Sequence, residues 1–344
     1  MDFSRPDNAR KINRIKVLNA LRKGSLSRAE LSRELLINKV SISEITDSLI
    51  KDGLVMEAER EMTTGRPATK LVVNRNAGRV FSLELRRASL SVSVSDMLGR
   101  ALRFERVPRT ENLWKDAEEI CLRLAKNMKI YGAAIVTDEK IEPSLPWPCI
   151  VISSAEAEAR AETESFEVSL DGFYFVSWNE TIKAAYLKSS LIAIDSFAHI
   201  KVTKGTTCTC SQDGCLESIA SGDVLKRETG IRSLKEIAER DDFMRTPSKA
   251  MTFALSQAVQ ATGARSVMIT GELSLMSDSI YADMQTKLTA SLPEDRKDVV
   301  IFRSSCGERG LGIGASILAL DAFFYSTRLL ETLRSLETLV PCTL

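Results

Sequence analysis

Three cysteines fall within eight residues of this chain, in the stretch Cys208-Thr-Cys210-Ser-Gln-Asp-Gly-Cys215, and the single histidine, His199, lies a short distance upstream. The neighbouring Thr, Ser, Asp, Gly and Lys residues form a polar loop, which cannot bury thiols in apolar surroundings. Three thiolates and an imidazole make a tetrahedral Cys₃His ligand set for zinc, and a site with four protein ligands is structural rather than catalytic. The sequence therefore predicts a zinc-stabilised loop.

Two other interpretations of the cysteines were weighed, ordinary buried thiols and a disulfide. The clustering argues against scattered core thiols. The chain has seven cysteines, an odd number, and it shows no apolar N-terminal signal segment, so an oxidising compartment is not implied. No apolar run approaches the roughly 18 residues that span a bilayer. We therefore expect a cytoplasmic protein that does not enter the membrane.

The charge is unevenly distributed along the 344 residues, although the net charge is only +1. Residues 1–75 contain 15 lysines and arginines against 10 aspartates and glutamates, whereas the remainder contains 32 against 36. The length suits two or three domains. A basic N-terminal segment before an acidic body suggests an appended nucleic-acid-binding module.

The N-terminal segment has the pattern of a helix-turn-helix. Apolar residues at helical spacing predict a first helix over 8–23, and Ser27 and Glu30 form a capping box for a second. Asn38 caps a third helix from Lys39 to about Lys51, whose buried face is Ile42, Ile45 and Leu49. The second helix of such a pair enters the major groove of DNA. We expect Lys39, Ser41 and Ser43 to contact DNA there.

A wing follows the third helix, because the stretch from Leu54 to Val73 reads as a strand, a polar loop and a strand. The loop tip, Thr64-Gly65-Arg66-Pro67, presents Arg66 where a minor groove could accept it. The alternative is a three-helix module that binds protein, and the outward-facing Glu44 and Asp47 favour that alternative slightly. The basic balance and the wing favour double-stranded DNA.

These residues resemble the ROK-family transcriptional repressors over most of the chain. The resemblance is carried by LSRAELSRELLINKVSISEITDSLIKDGLV with TTGRPATKLVV, by AHIKVTKGTTCTCSQDGCLESIASG, and by ERGLGIGASILALDAFF. It implies an α/β protein with a winged helix-turn-helix at 1–75 and a two-lobed, actin-like and hexokinase-like body. The first lobe would span 76–150 and be completed by 311–344, and the second would span 151–310.

The resemblance also implies roles for individual residues. In the family the metal-binding histidine, here His199, and the glutamate after the last cysteine, here Glu217, also contact a sugar. Ser153 and Ser154 occupy the positions of the family's sugar-binding asparagine and catalytic aspartate. The effector site is thus expected at His199, Glu217, Ser153 and Ser154, with a sugar or sugar derivative as its ligand.

Several departures from the family argue against catalysis. A serine at 154 cannot accept a proton from a sugar hydroxyl at neutral pH unless another base activates it. The family's glycine-rich phosphate loops are replaced by Glu84-Leu85-Arg86-Arg87-Ala88 and by Trp178-Asn179-Glu180-Thr181-Ile182-Lys183, and backbone amides need glycine to approach phosphate closely. The alternative that Arg86 and Arg87 form a substitute clamp is weaker, since side-chain cations do not replace a cradle of amides. Trp147, between two prolines, is interpreted as a packing plug rather than a ligand platform.

The sequence thus predicts a transcriptional regulator that acts as a repressor, has no enzymatic activity and contains a structural zinc ion. Homodimers or homotetramers are expected, because paired winged helices read palindromic sites. One alternative is a regulator whose kinase-like body docks a protein partner instead of a sugar. A further alternative is an active sugar kinase with an N-terminal regulatory module.

Overall fold

The computed structural model of the protein describes residues 6–58, 69–137, 139–165, 172–188, 190–306 and 310–325. The chain divides into two compact units. The first contains residues 1–135, 141–150 and 316–344, and the second contains residues 136–140 and 151–315. No helix in these described ranges is both long enough and apolar enough to cross a bilayer.

The first unit begins with three helices: α1 (Pro6–Lys23), α2 (Arg28–Leu35) and α3 (Lys39–Lys51). The predicted capping box is present, since the Ser27 hydroxyl accepts the Glu30 N–H and the Glu30 carboxylate accepts the Ser27 N–H. Asn38 caps α3 by accepting the Ser41 N–H at 2.8 Å. The three predicted helices are confirmed, and the starts of α2 and α3 are each set by a side chain that satisfies otherwise free amides.

A small antiparallel sheet with strand order β1-β3-β2 accompanies these helices: β1 (Leu26–Ser27), β2 (Val55–Glu57) and β3 (Lys70–Val73). β2 and β3 are the two strands expected for a wing. The two-residue β1 was not predicted, because it is too short to show an alternating pattern. The wing tip with Arg66 lies outside the described residues.

The first unit continues into a five-stranded sheet of order β6-β5-β4-β7-β8. Its strands are β4 (Arg79–Leu85), β5 (Ser89–Ser95), β6 (Ala101–Pro108), β7 (Ile130–Val136) and β8 (Cys149–Ile152). The amphipathic helix α4 (Leu113–Ala125) buries its apolar residues against Phe81, Val92 and Ile135 in one core. At the end of β5, the Ser95 hydroxyl is hydrogen-bonded to the Ser316 hydroxyl at 2.9 Å.

The second unit is built on a sheet of order β11-β10-β9-β12-β13. Its strands are β9 (Phe173–Trp178), β10 (Ile182–Lys188), β11 (Ser190–Ala193), β12 (Ser266–Thr270) and β13 (Val300–Arg303). β9, β12 and β13 run parallel, whereas β10 and β11 continue the sheet antiparallel. The carboxyl ends of β9, β12 and β13 therefore meet at one edge of this sheet.

Helices cover both faces of the second sheet. The main core contains Trp178 and Ile269 and lies under helices that include α6 (Glu217–Ala220), α7 (Gly222–Thr229), α8 (Leu234–Ala238), α9 (Asp241–Thr262) and α10 (Asp278–Ser291). The opposite face packs Phe175 and Met268 against the alanines of α5 (Ser154–Ser165). Three short 3₁₀ turns are formed by Phe197–His199, Glu272–Leu275 and Glu294–Arg296.

The last described helix, α11 (Gly310–Phe323), begins in the second unit and ends in the first. Within the second unit it approaches α5 closely at Gly314. A Cβ there would lie 1.6 Å from the Ala157 carbonyl oxygen, so no larger residue fits. Small residues on both helices allow this approach of the backbones.

Candidate functional site

The loop after the 3₁₀ turn Phe197–His199 brings together the four predicted metal ligands. Their donor atoms all lie within 4.8 Å of one another. The His199 Nδ1 is 3.7 Å from the Cys208 Sγ, and the Cys210 and Cys215 Sγ atoms are 3.7 Å apart. Tetrahedral zinc with Zn–S bonds of about 2.3 Å places sulfur ligands about 3.8 Å apart. The donor set and its spacing therefore fit a zinc ion.

A tight hairpin holds these ligands in place. Isolated bridges pair Lys201 with Cys215 and Thr207 with Asp213, and the Cys208 N–H donates to the Gln212 carbonyl at 2.8 Å. Gly214 has a φ of +74°, and a Cβ there would lie 1.9 Å from the Thr203 carbonyl oxygen. Only glycine fits this position. The glycine of Asp-Gly-Cys is thus required by the geometry of the loop.

The electrostatics of the loop suit a bound cation. Burial raises the pKa of the Cys215 thiol to about 11, whereas the Gln212 backbone N–H lowers the pKa of Cys210. A zinc ion favours the thiolate form of its ligands and would offset the cost of a buried thiolate. Cys208 and Cys215 are buried, and His199 and Cys210 are exposed. A zinc ion held by these four protein donors would have no open position for a substrate, which is the arrangement typical of structural sites.

Glu217 connects the metal loop to the hairpin between β9 and β10. It is the first residue of α6, is half-buried, and accepts the Ile182 N–H at 3.0 Å. At the other end of the same short helix, the Ala220 carbonyl accepts the indole N–H of Trp178 at 2.6 Å. The carboxylate of this proposed sugar contact therefore also supports the hairpin.

Ser153 and Ser154 lie at the start of α5. The Ser153 hydroxyl accepts the Glu156 N–H at 3.2 Å, and the Ser153 N–H and hydroxyl both donate to the Glu156 carboxylate at 2.8 Å. This is a capping box, and Ser-x-x-Glu in the sequence is its signature. This cap was not among the predicted features. Ser153 thus has a structural partner at the position where the family is expected to bind sugar.

The hairpin at Trp178–Lys183, which replaces a glycine-rich phosphate loop, is closed by a buried amide. The Asn179 side chain donates to Ser177 at 3.0 Å and to Glu158 at 3.3 Å, and it accepts the Glu272 N–H at 2.8 Å. Asn179 is 8% exposed. Gly271 has a φ of +87°, and a Cβ there would lie 2.8 Å from the Asn179 amide. Side chains therefore fill the edge at which backbone amides would have to face a phosphate.

Two buried carboxylates of α5 extend this arrangement. Glu158 accepts the hydroxyl hydrogen of Thr270, at the carboxyl end of β12. Glu162 is fully buried and accepts from Ser304 and Ser305, after β13, and from the Cys306 N–H at 3.1 Å. Ligands of α/β sheets commonly bind at the carboxyl ends of the strands. Two carboxylates at this edge oppose the binding of a phosphate.

The loop Glu84–Ala88 is a tight hairpin between β4 and β5. The Arg86 N–H donates to the Ser89 carbonyl at 2.9 Å, and the Arg86 guanidinium is paired with the Glu84 carboxylate. A paired guanidinium is a poor candidate for the substitute phosphate clamp considered from the sequence.

Trp147 packs against the core of the first unit. Its ring stacks on Phe81 with the ring centroids 6.4 Å apart, as expected of a packing plug.

The expected DNA contacts lie on α3. Lys39 is exposed, and Ser41 and Ser43 are half-buried. Asp47, which counted against DNA binding, forms an ion pair with Arg28 at 2.7 Å, so its charge is partly neutralised. Val40 was missed by the sequence reasoning and is 70% exposed. Its exposure could have been predicted from the sequence, because Val40 lies outside the apolar stripe of Ile42, Ile45 and Leu49.

Residues 194–322, which include the metal loop, match the model of the ROK family. A search of curated proteins finds no match. Among solved structures, a ROK family transcriptional regulator described as a homolog of the E. coli MLC protein is similar with a TM-score of 0.77 at 19% identity. The match covers 95% of this chain and 100% of that one.

Two sugar kinases are similar over a smaller part of the chain. The ROK hexokinase of Thermus thermophilus has a TM-score of 0.56 at 16% identity, covering 70% of this chain and 97% of its own. A ROK family glucokinase of Streptomyces griseus has a TM-score of 0.54 at 17% identity, covering 70% and 99%. At these identities the structural matches establish a shared fold. The predicted α/β architecture, with a kinase-like body and an N-terminal helix-turn-helix, is confirmed.

Proposed function

Because residues 194–322 form a ROK family domain, we propose that this chain is a DNA-binding transcriptional regulator, acting as a repressor. The observation that carries the proposal is the N-terminal helix-turn-helix, in which α3 has an exposed face beside a wing-type sheet. The structural match to a ROK regulator over 95% of the chain supports it, since the two kinases cover only 70%.

On this proposal α3 enters the major groove with Lys39, Ser41 and Ser43 at the DNA, and Arg66 of the wing reaches the minor groove. The amino end of α3 suits a phosphate, because its free amides and dipole favour negative charge. A homodimer or homotetramer would place two such helices on a palindromic operator. Strand β3 of the wing is connected to α2, the preceding helix, through the ion pair of Lys70 with Glu30 at 2.7 Å.

The body of the protein is proposed to be catalytically inactive. Ser154 offers no base, Ser153 is engaged as a helix cap, and Asn179 closes the hairpin where a glycine loop would approach phosphate. The proposed zinc ion, held by His199, Cys208, Cys210 and Cys215, would stabilise the second unit. A sugar-like effector at His199, Glu217 and the two serines remains part of the proposal, with the caps just described restricting its contacts.

The proposal is tested by selecting duplex DNA from a random library with the full-length protein and measuring affinity by fluorescence anisotropy at fixed salt. We expect a selected sequence to bind on the order of 10³-fold more tightly than a scrambled duplex. Lys39→Ala should weaken binding, whereas Lys249→Ala, an exchange on α9 of the second unit, should not. Failure to enrich any sequence would contradict the proposal.

Enzymatic activity is tested separately with a coupled ATPase assay over a panel of hexoses and N-acetylated hexoses. No sugar-dependent turnover is expected, and clear turnover would favour the kinase alternative. Thermal unfolding with the same sugars addresses the effector, because a ligand that binds the folded state raises the melting temperature. No shift with any sugar would favour a body that docks a protein partner.

A further inference from the structure

The outer face of α3 carries an apolar side chain that the fold does not use. The core face consists of Ile42, Ile45 and Leu49, all buried. Val40 lies outside that stripe, at the second position of the helix, and is 70% exposed. Burying a valine side chain stabilises a fold, and this chain forgoes that gain at Val40. Val40 therefore stabilises neither the helix core nor its amino end.

The local structure does not call for valine at this position. The amino end of α3 is already capped by Asn38, which accepts the Ser41 N–H. Valine is a weaker helix former than alanine, glutamate or lysine, because its branched side chain loses rotamer freedom in a helix. An exposed position that served only the helix would favour one of those residues. The side chain is thus better explained by a contact outside the chain.

The charges around Val40 indicate what that contact is. Glu44, one turn further along the same exposed face, is also exposed. A carboxylate is repelled by phosphate and an isopropyl group cannot bond to it, so this face is unsuited to the DNA backbone. It is suited to the edges of bases in the major groove. The C5-methyl group of thymine is the apolar feature that base pairs present there.

We propose that Val40 is a specificity-determining residue that packs against the C5-methyl group of one thymine in each operator half-site. The inference rests on the proposed function, since it requires that α3 lie in the major groove. It can nevertheless fail on its own, because α3 could enter the groove with Lys39, Ser41 and Ser43 alone recognising the DNA. Loss of contact with one buried methyl is worth about 0.8 kcal/mol, or about fourfold in Kd.

The test is a two-by-two comparison of protein and DNA. The duplex selected by the full-length protein is resynthesised with deoxyuridine in place of each thymine in turn, which removes only the methyl group. For the native protein, one substitution per half-site should weaken binding about fourfold. For Val40→Ala, that same substitution should change the affinity less than 1.5-fold, so that the two changes are strongly coupled.

Phe253→Ala is the matched control, since Phe253 is an exposed apolar residue on α9 of the second unit. It should retain the full deoxyuridine penalty. Circular dichroism of Val40→Ala should be native, because an exposed side chain contributes little to stability. Absence of sequence-specific binding by the native protein would contradict the proposed function itself. Specific binding with equal deoxyuridine penalties in the native protein and in Val40→Ala would overturn only the role of Val40. A change in the self-association of Val40→Ala, in place of a change in its DNA binding, would also overturn that role.

Discussion

Two regions of the second unit differ in what they retain. The metal loop, from His199 to Glu217, brings four donor atoms within 4.8 Å and has the distances of a tetrahedral site. The edge formed by Asn179, Glu158 and Gly271 is instead closed by side-chain hydrogen bonds. In the first region the residues have the geometry of a ligand site. In the second region, the side chains are buried and hydrogen-bonded to one another, as in a protein core.

The difference separates the roles that one fold can combine. A closed metal loop adds rigidity and requires no substrate, so it is compatible with a protein that has lost catalysis. A phosphate edge needs free backbone amides and room, both of which disappear once Asn179 and Glu158 occupy it. In the second unit, therefore, the metal loop has four converging donor atoms, whereas hydrogen-bonded side chains occupy the edge at Asn179.

The largest effect is expected at the metal loop. Cys215→Ser removes a buried donor, so zinc content should fall from one equivalent to none. The second unit should lose on the order of 4 kcal/mol or more of stability, because binding free energy of a structural zinc is folding free energy. Elemental analysis and thermal unfolding measure the two quantities. Cys306→Ser, in the same unit but outside the cluster, should keep its zinc, and a zinc-free native protein with unchanged stability would refute the structural role.

At the closed edge, Asn179→Gly is designed to restore a glycine to the hairpin. It should destabilise the second unit by about 2 kcal/mol, because the Glu272 N–H and the buried Glu158 carboxylate each lose a partner. Urea unfolding gives the change. Asn76→Gly, an exposed exchange of the same kind, should cost about 0.5 kcal/mol or less. If Asn179→Gly instead gained ATP binding without loss of stability, the edge would be a latent phosphate site.

A smaller, pH-dependent effect is expected in the helical module. Hydrogen bonds from Lys70, and then from the N–H and hydroxyl of Ser27, lower the pKa of Glu30 from its usual 4.5 to about 2. The unfolded chain therefore takes up the proton first, so this stabilisation is complete above about pH 4.5 and is lost as the pH falls towards 2. Glu30→Gln should cost about 1 kcal/mol at pH 7, since the cap and a half-exposed ion pair are weakened.

The check on Glu30 is urea unfolding of both proteins between pH 7 and pH 2. The difference between native protein and Glu30→Gln should shrink as the pH falls. A constant difference across that range would mean that the carboxylate charge contributes nothing and that only the shape of the side chain matters.

The smallest effect is expected from Ser154→Asp, which places a carboxylate where the family resemblance puts the catalytic base. Ser154 opens α5, so a negative charge there should stabilise the helix by about 0.3–1 kcal/mol. No sugar-dependent ATP turnover should appear, since the edge at Asn179 remains closed. Turnover in this single variant would show that the lost base alone separates this chain from a kinase.

Local patterns predicted the parts of the fold that local chemistry determines. The starts of α2 and α3 follow from Ser27 and Asn38, and the metal ligands follow from their spacing in a polar loop. The Ser153 capping box is equally local, because Ser153 and Glu156 alone form it, although it was not predicted.

The closed edge could not be predicted in the same way. The Glu158 carboxylate meets Thr270, and Asn179 meets the Glu272 N–H, so the pairs join residues far apart in the chain. A single sequence shows that the glycines are missing but not which side chains fill their place. The same limit applies to Val40. The apolar stripe of α3 predicts that Val40 lies outside the core, but it does not show what Val40 contacts.

We propose that this chain binds specific DNA sequences and that its kinase-like body catalyses no reaction. The most direct measurement is the affinity of the full-length protein for its selected duplex and for a scrambled one, at the same salt concentration. We expect a difference in affinity on the order of 10³-fold, which Lys39→Ala should reduce. Equal affinity for the two duplexes would contradict it.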